Sequence, residues 1–269
     1  MKVVIILFIL LLIALISLWV YGFIEANDLK VSTKSISDLK GIKKVLVIFP
    51  HPDDEANSLG GTITQLVNKD VEISWVILTK GERGNNDAHF DESLKEIRSK
   101  EAQNVAKILG VKNLSLKDYP DNGMDQLKDN LIGDVRKIIN EVRPDLVITY
   151  DESGGYGHPD HIVLSNVTTD LINNEFKDIQ LWYTSTPEKL YQKISLPEHM
   201  AKDKVFKLNR KSPSFKIWVG LSGVINKIKA VYVYQSQFSS FVKSVPIKQI
   251  PMWFYVSLTP YEYFYEVKN

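Results

Sequence analysis

Apolar and polar positions divide the chain into two unlike parts. Residues 3–24, VVIILFILLLIALISLWVYGFI, run without a charge, and about 20 such residues span a bilayer core as a helix. Further along, short apolar runs alternate with amphipathic stretches. Val45–Phe49, Ile73–Leu78, Leu114–Leu116, Leu146–Tyr150 and Gln180–Thr184 read as strands. Leu59, Ile63, Leu66 and Val67 lie at helical spacing, as do Leu94, Ile97, Val105, Ile108 and Leu109, with Gly110 at a C-cap position. Leu127, Leu131, Val135, Ile138 and Val142 form one helical face, and Pro144 lies just past its end. Residues 222–237 predict another helix. The aromatic tail IPMWFYVSLTPYEYFYEV predicts a pair of late strands packed on the sheet, against the alternative of an interfacial belt lying on a membrane.

Continuous apolar strands separated by amphipathic helices predict an α/β fold, a three-layer sandwich with a mainly parallel sheet covered on both faces. Such sheets bind ligands in the crevice beyond the carboxyl ends of their strands. Three polar segments follow three of the strands: HPDDE after Val45–Phe49, TKGERGNN after Ile73–Leu78, and DESGGYGHPDH after Leu146–Tyr150. All three converge on one sheet edge.

Charge and composition narrow the function. Thirty-three basic residues face thirty-two acidic ones with no basic arm, so no nucleic-acid partner is expected. With no cysteine, any metal must be held by His, Asp or Glu. A signal peptide would have a shorter apolar core, about 7–15 residues, and an Ala-x-Ala-like cleavage site. Here only Ala26 stands near the end of the run, behind Ile24 and Glu25. The expectation is therefore an uncleaved single-pass anchor over residues 1–24, a polar tether over 25–41 and one domain over 42–269. Lys30, Lys34, Lys40, Lys43 and Lys44 follow the span while only Lys2 precedes it, which places the domain in the cytoplasm by the positive-inside rule.

The polar segments carry chemistry. His51 and Asp54 are three apart in a turn after a strand, so both can face one point. His158 and His161 are three apart and share a face if their segment opens a helix. A catalytic zinc takes three such ligands and leaves one position open, and a divalent cation stabilises the crowded carboxylates beside it. Asp53, next to Asp54, is suited to act as a base. One of the two histidines can complete the metal site, and the other can donate a proton or stabilise an oxyanion. Asp160 between them can orient an imidazole. Taken alone, HPDDE also fits a turn with Asp54 capping the next helix, and HPDH fits a helix start with Pro159 in the first turn. Together, each after a strand, they read as a site. His89 reads as a surface-loop residue, and GGYG is no dinucleotide fingerprint.

FPHPDDEANSLGGTI, LTKGERG, IRSKEAQNVAKILGV, YPDNG and GGYGHPDH, in this order, resemble the LmbE-like (PIG-L) family of zinc-dependent de-N-acetylases over about residues 42–240. The resemblance implies a Rossmann-like fold and residue roles. His51, Asp54 and His161 match zinc ligands, the metal being Zn2+ or another divalent ion. Asp53 matches the general base. His158 matches a general acid or electrostatic stabiliser, with Asp160 as its partner. Tyr156 matches a carbonyl-polarising tyrosine. Arg98 matches a substrate-binding arginine, suited to a phosphate or carboxylate. In KAVYVYQSQF, Tyr234 stands where the family often has the His of a His-x-Ser-Gln element, with Ser236 and Gln237 kept. Glu55 has no assigned role beyond supporting its loop. The implied reaction is removal of acetate from the 2-acetamido group of a GlcNAc-containing small molecule or glycolipid. The rival readings are an amidase for a different amide, such as a thiol conjugate or an acylated antibiotic, and a non-catalytic membrane-tethered binding protein.

Overall fold

The computed structural model describes residues 1–84, 91–194, 209–245, 247 and 250–268; His89 lies outside them. Among the described residues, eight strands form one sheet: β1 (Thr33–Lys34), β2 (Lys44–Phe49), β3 (Glu72–Thr79), β4 (Asn113–Tyr119), β5 (Leu146–Tyr150), β6 (Gln180–Thr184), β7 (Phe215–Trp218) and β8 (Tyr261–Glu266). Their order is β1-β7-β8-β6-β5-β2-β3-β4. β1 pairs with β7 in parallel, and β2 to β6 are parallel throughout. Only β8 is antiparallel to its neighbours, β6 and β7.

The central strands are apolar on both faces because both faces are covered. Val45, Val47 and Phe49 of β2 point into one core with Leu59, Ile63 and Leu66 around helix Gly60–Val67 and with Val105 and Leu109 of helix Glu92–Leu109. Leu46 and Ile48 point into the opposite core, against Leu131, Val135 and Ile138 of helix Lys128–Val142 and Leu164, Val167 and Leu171 of helix Pro159–Asn174. From β2 the chain builds outward to β3 and β4. It then returns to β5 on the other side of β2. The β2–β5 boundary is thus the topological switch point, where open α/β sheets place their ligands.

The tail departs from two strands. Residues Met252–Leu258 form a helix and only Tyr261–Glu266 a strand. Pro251 fits the helix start, and Met252, Tyr255, Val256 and Leu258 bury one helical stripe. The short strand expected at Leu114–Leu116 extends over Asn113–Tyr119.

The N-terminal helix runs from Lys2 to Ala26 and is long and apolar enough to cross a membrane, with mean hydropathy 3.4 over its most apolar window. It is exposed until its last turns, where Ala26 is buried. The stretch expected as a polar tether makes contacts with the domain. Asn27 is buried, and its amide donates to the carbonyls of Leu258 (2.6 Å) and Phe23 (2.7 Å). Asp28 N–H donates to the Tyr263 hydroxyl (2.8 Å), and β1 pairs with the edge of β7. Polar composition suggested a tether, but these backbone groups find partners on the sheet edge.

Candidate active site

His51 lies two residues past β2, Asp54 opens helix Asp54–Ser58, and His161 sits in the first turn of the helix that follows β5. Their ligand atoms converge. His51 Nδ1 is 3.0 Å from His161 Nε2 and 3.7 Å from Asp54 Oδ2, and His161 Nε2 is 3.4 Å from Asp54 Oδ1. All three side chains are buried. The surroundings fix the tautomers. His161 Nδ1 faces the Gly154 carbonyl at 3.1 Å, which only accepts, so Nδ1 carries the proton and Nε2 presents a lone pair. His51 Nε2 faces the Asp121 and Asp160 carboxylates and so carries a proton, which leaves a lone pair on Nδ1 in the neutral ring; burial opposes the charged ring, but these carboxylates raise its pKa well above the usual value. Two lone pairs and a carboxylate therefore point at one spot. These separations are close to the ~3.3 Å edge of a tetrahedron with metal–ligand bonds of about 2.0–2.1 Å. The donor set fits a small divalent cation such as zinc. Tyr150 supports it from behind, its hydroxyl donating to Asp54 Oδ1 at 2.9 Å.

The partner of His51 corrects the sequence reading. Asp160 was expected to orient His158. Instead its Oδ2 lies 3.2 Å from His51 Nε2, while its carboxylate also accepts from the backbone N–H of Asn122 (2.7 Å) and Met124 (3.2 Å). The helix start places Asp160 on the far side of the turn from His158, so its contact with that residue runs from its own N–H to His158 Nδ1 at 3.2 Å. Asp121, in the YPDNG turn after β4, shares His51 Nε2 at 3.2 Å. No role was read for Asp121; its placement after an apolar strand was the available signal. Burial opposes its ionisation, but the His51 imidazole and the Arg83 N–H hold its carboxyl below the usual range. Two carboxylates on the outer nitrogen of a histidine placed to hold a metal would fix its ring and raise its basicity. Asp160→Asn is expected to weaken zinc affinity about 10–100-fold in competition with a chromogenic chelator. Unchanged affinity would remove Asp160 from that role.

Asp53 stands beside the donor triangle without belonging to it. Its φ of 105° is in the left-handed region, uncommon for a residue with a side chain. Three contacts hold it: its N–H donates to Glu55 Oε2 (3.2 Å), its carbonyl accepts from Ala56 N–H (3.1 Å), and its carboxylate lies 3.3 Å from Arg98 Nη2. Burial lifts the Asp53 carboxyl to about 7, with Arg98 pulling it down and Asp54 pushing it up. Arg98, expected to meet an anionic substrate group, is itself buried. Its guanidinium donates to the carbonyls of Pro52 and of Gly81 (3.0 Å) as well as facing Asp53. Gly81 and Gly84 are glycines for a steric reason, since a Cβ at either would overlap the guanidinium.

Tyr156 and His158 complete the rim. The Tyr156 hydroxyl is 3.4 Å from His161 Nε2, and burial raises its pKa well above the usual value, so it stays a donor. His158 packs edge-on against His51 with ring centroids 4.6 Å apart. The ligand atoms of His51, His158 and His161 lie within 4.8 Å of one another, so His158 is a second candidate for the metal. Its Nδ1 is taken by the Asp160 N–H, which favours Asp54 as third ligand. Burial and the neighbouring imidazoles push His158 down to about 2, which keeps it neutral. Gly154 has φ 65°, and a Cβ there would come within 2.8 Å of His161 Cβ. The glycine lets the chain turn tightly enough to offer its carbonyl to that histidine.

Residues 46–172 match the family described as "PIG-L: GlcNAc-PI de-N-acetylase". The match takes in just under half of the chain. The mycothiol S-conjugate amidase of Streptomyces coelicolor is 33% identical over 147 residues, covering 46% of this chain and 50% of that protein. A probable N-acetyl-alpha-D-glucosaminyl L-malate deacetylase of Bacillus anthracis is 37% identical over 129 residues, covering 46% and 56%. The chain thus spans about half the length of the curated relatives it matches. The N,N'-diacetylchitobiose deacetylase of Pyrococcus horikoshii shares the fold, with TM-score 0.58, 24% identity, and coverage of 91% of this chain and 88% of that one.

The PIG-L match contains His51, Asp53, Asp54, Arg98, Asp121, Tyr156, His158, Asp160 and His161; Tyr234 lies beyond it. Tyr234 is nonetheless built into the site's floor. It is fully buried, and its hydroxyl donates to Glu55 Oε1 at 2.8 Å. Glu55 accepts from Asp53 N–H with its other oxygen. Tyr234 therefore supports the Asp53 loop through Glu55, which gives that carboxylate a structural role. Ser236 bonds to Glu101 through both N–H (3.0 Å) and hydroxyl (2.6 Å), and Gln237 donates to the Gly84 carbonyl (2.8 Å).

Proposed function

We propose that this protein is a metal-dependent N-deacetylase that hydrolyses the 2-acetamido group of a GlcNAc-containing conjugate to acetate and a free amine. The observation carrying this reading is the division of labour among adjacent carboxylates. Asp54 faces the two histidine lone pairs, while Asp53, one residue away, is held off them by Arg98 and Glu55. His51, Asp54 and His161 would hold a divalent cation, which supplies a Lewis acid beside the acetamide carbonyl. Asp53 takes a proton from the attacking water. Tyr156 donates a hydrogen bond to the oxyanion that develops as the carbonyl carbon becomes tetrahedral. As the C–N bond breaks, the departing nitrogen needs a proton. His158 is neutral in this setting, so it serves as a hydrogen-bond donor, and Asp53 returns the proton it gained.

An acetate-release screen with zinc-loaded full-length protein tests the reading. Acetate is expected from N-acetylated glucosamine conjugates. A rival favours a different amide, and the S. coelicolor relative is named an amidase. Turnover of non-sugar amides alone would select that rival. No turnover of either class would return the reading to a binding protein.

Arg98 acts on this chemistry through Asp53. Its positive charge lowers the Asp53 pKa, so Arg98→Gln raises it. A base must be ionised, and its activity is lost as pH falls through its pKa. The acid limb of kcat/KM against pH is expected to move upward in Arg98→Gln. A substrate-binding role alone would raise KM and leave the limb in place.

The Lys2–Ala26 helix supports a single-pass membrane anchor. It is exposed rather than a core helix, and the buried Asn27 ties its end into the domain as a retained segment would. The lysines that follow it favour the cytoplasmic side for the domain.

A further inference from the structure

The position of the N-terminal helix relative to the site has a consequence for how the domain sits. β2, β5 and β6 are parallel, and β7 runs the same way because both β6 and β7 are antiparallel to β8. The carboxyl end of β7 and the start of β8 therefore lie on the sheet edge that carries the site. That is where the helix is docked. Phe23 lies against Tyr261, the first residue of β8, with ring centroids 6.1 Å apart, and Gly22 approaches the Leu258 side chain. An aromatic run continues from the helix onto the domain: Trp19 on Phe23 (5.4 Å), Phe23 on Tyr261, and Tyr261 on Trp218 (5.1 Å). Trp218 ends β7 and is 50% exposed, and Leu221, in the next turn, is 77% exposed. Ile225, one helical turn further on, is exposed as well.

Large side chains exposed next to one another are unusual unless something covers them. The helix identifies the cover. An apolar helix that crosses a bilayer brings the surface around its exit to the headgroup level, where tryptophan and tyrosine are favoured. Two lysines mark that level. Lys189 Nζ donates to the Ile24 carbonyl at 2.7 Å, and Lys193 Nζ lies 2.5 Å from Glu25 Oε2. The site is close by. Glu262, next to Tyr261, accepts from the N–H groups of Gly61 (2.9 Å) and Thr62 (2.7 Å), at the start of the helix that follows the HPDDE turn. At a strand spacing of about 4.8 Å, the β2–β5 boundary is roughly 17 Å along the edge from β7.

We propose that the sheet edge carrying the site lies against the bilayer, with Trp218 and Leu221 seated at the headgroup–acyl boundary beside the emerging helix. This rests on the helix being a membrane anchor. It implies that the amide hydrolysed is presented at headgroup depth, on an amphiphile or a membrane-proximal saccharide.

The chain has no cysteine, so single nitroxide labels can be placed cleanly. Leu221→Cys and Trp218→Cys report on the patch, Lys69→Cys on the opposite sheet edge, and Leu12→Cys on the middle of the helix. The full-length protein is reconstituted in phosphatidylcholine–phosphatidylglycerol vesicles. The ratio of oxygen to aqueous nickel accessibility at 218 and 221 is expected to be several-fold above that at 69 and below that at 12. If 218 and 221 match 69 while 12 is in lipid, the surface is overturned and the anchor stands. If 12 is in water, the anchor reading fails and takes the surface with it. Dipolar broadening between labels at 221 would show a second copy of the chain covering the edge, and would also overturn the proposal.

Discussion

Asp53→Asn is expected to lower turnover about 10²- to 10⁴-fold, the usual contribution of a general base, while zinc content and melting temperature stay near those of the parent. The separation of these readouts follows from geometry. The atoms proposed to hold the metal belong to His51, Asp54 and His161, and Asp53 is not among the close contacts they make. Its backbone is held by Glu55 and Ala56, which act on N–H and carbonyl and are indifferent to the side chain. The amide keeps an oxygen that can face Arg98 Nη2 but cannot take a proton from water. Loss of activity with loss of zinc would instead make Asp53 a ligand. Near-normal deacetylation would remove the base from the mechanism.

Much of this was legible before the fold was known. Val45–Phe49 and Leu146–Tyr150 are apolar on both faces, a pattern that a central parallel strand imposes. The HPDDE and HPDH segments after them were therefore on one edge by architecture alone, and the three expected ligands do converge there. What escaped was contact across distant elements. Asp121 meets His51 from a turn after β4, and its place after an apolar strand was the one signal that set it apart from the acids around it. Asp160 lies two residues from His158 in sequence, yet its side chain turns to His51, because positions two apart on a helix point roughly 200° apart. Arg98, expected to meet an anionic substrate group, is buried instead, and Gly81 and Gly84 leave room for its guanidinium. The Asp53 backbone conformation is a property of the closed loop and has no signature in residue type. In the tail, aromatic density suggested strands, while the spacing of Met252, Tyr255, Val256 and Leu258 carried the helix signal.

Removing one ligand tests the metal itself. His161→Ala is expected to reduce zinc to well below one equivalent by elemental analysis and to abolish turnover. The stronger readout is stability. A ligand that binds only the folded state stabilises it by about 4 kcal/mol at a thousandfold excess over Kd. For a chain of this length that is on the order of 10 °C in Tm. The parent protein should gain such a shift on adding zinc after chelation, and His161→Ala should not. The side chain is fully buried, so an alanine leaves a cavity that lowers Tm by itself; His161→Gln fills more of it and should also lack the zinc-dependent shift. His51 Nδ1 and His161 Nε2 face each other at 3.0 Å beside the Asp54 carboxylate, an arrangement that a shared cation stabilises. A parent protein whose Tm ignores zinc, or a His161→Ala protein that binds it stoichiometrically, would show that the convergence of these donors serves some other purpose.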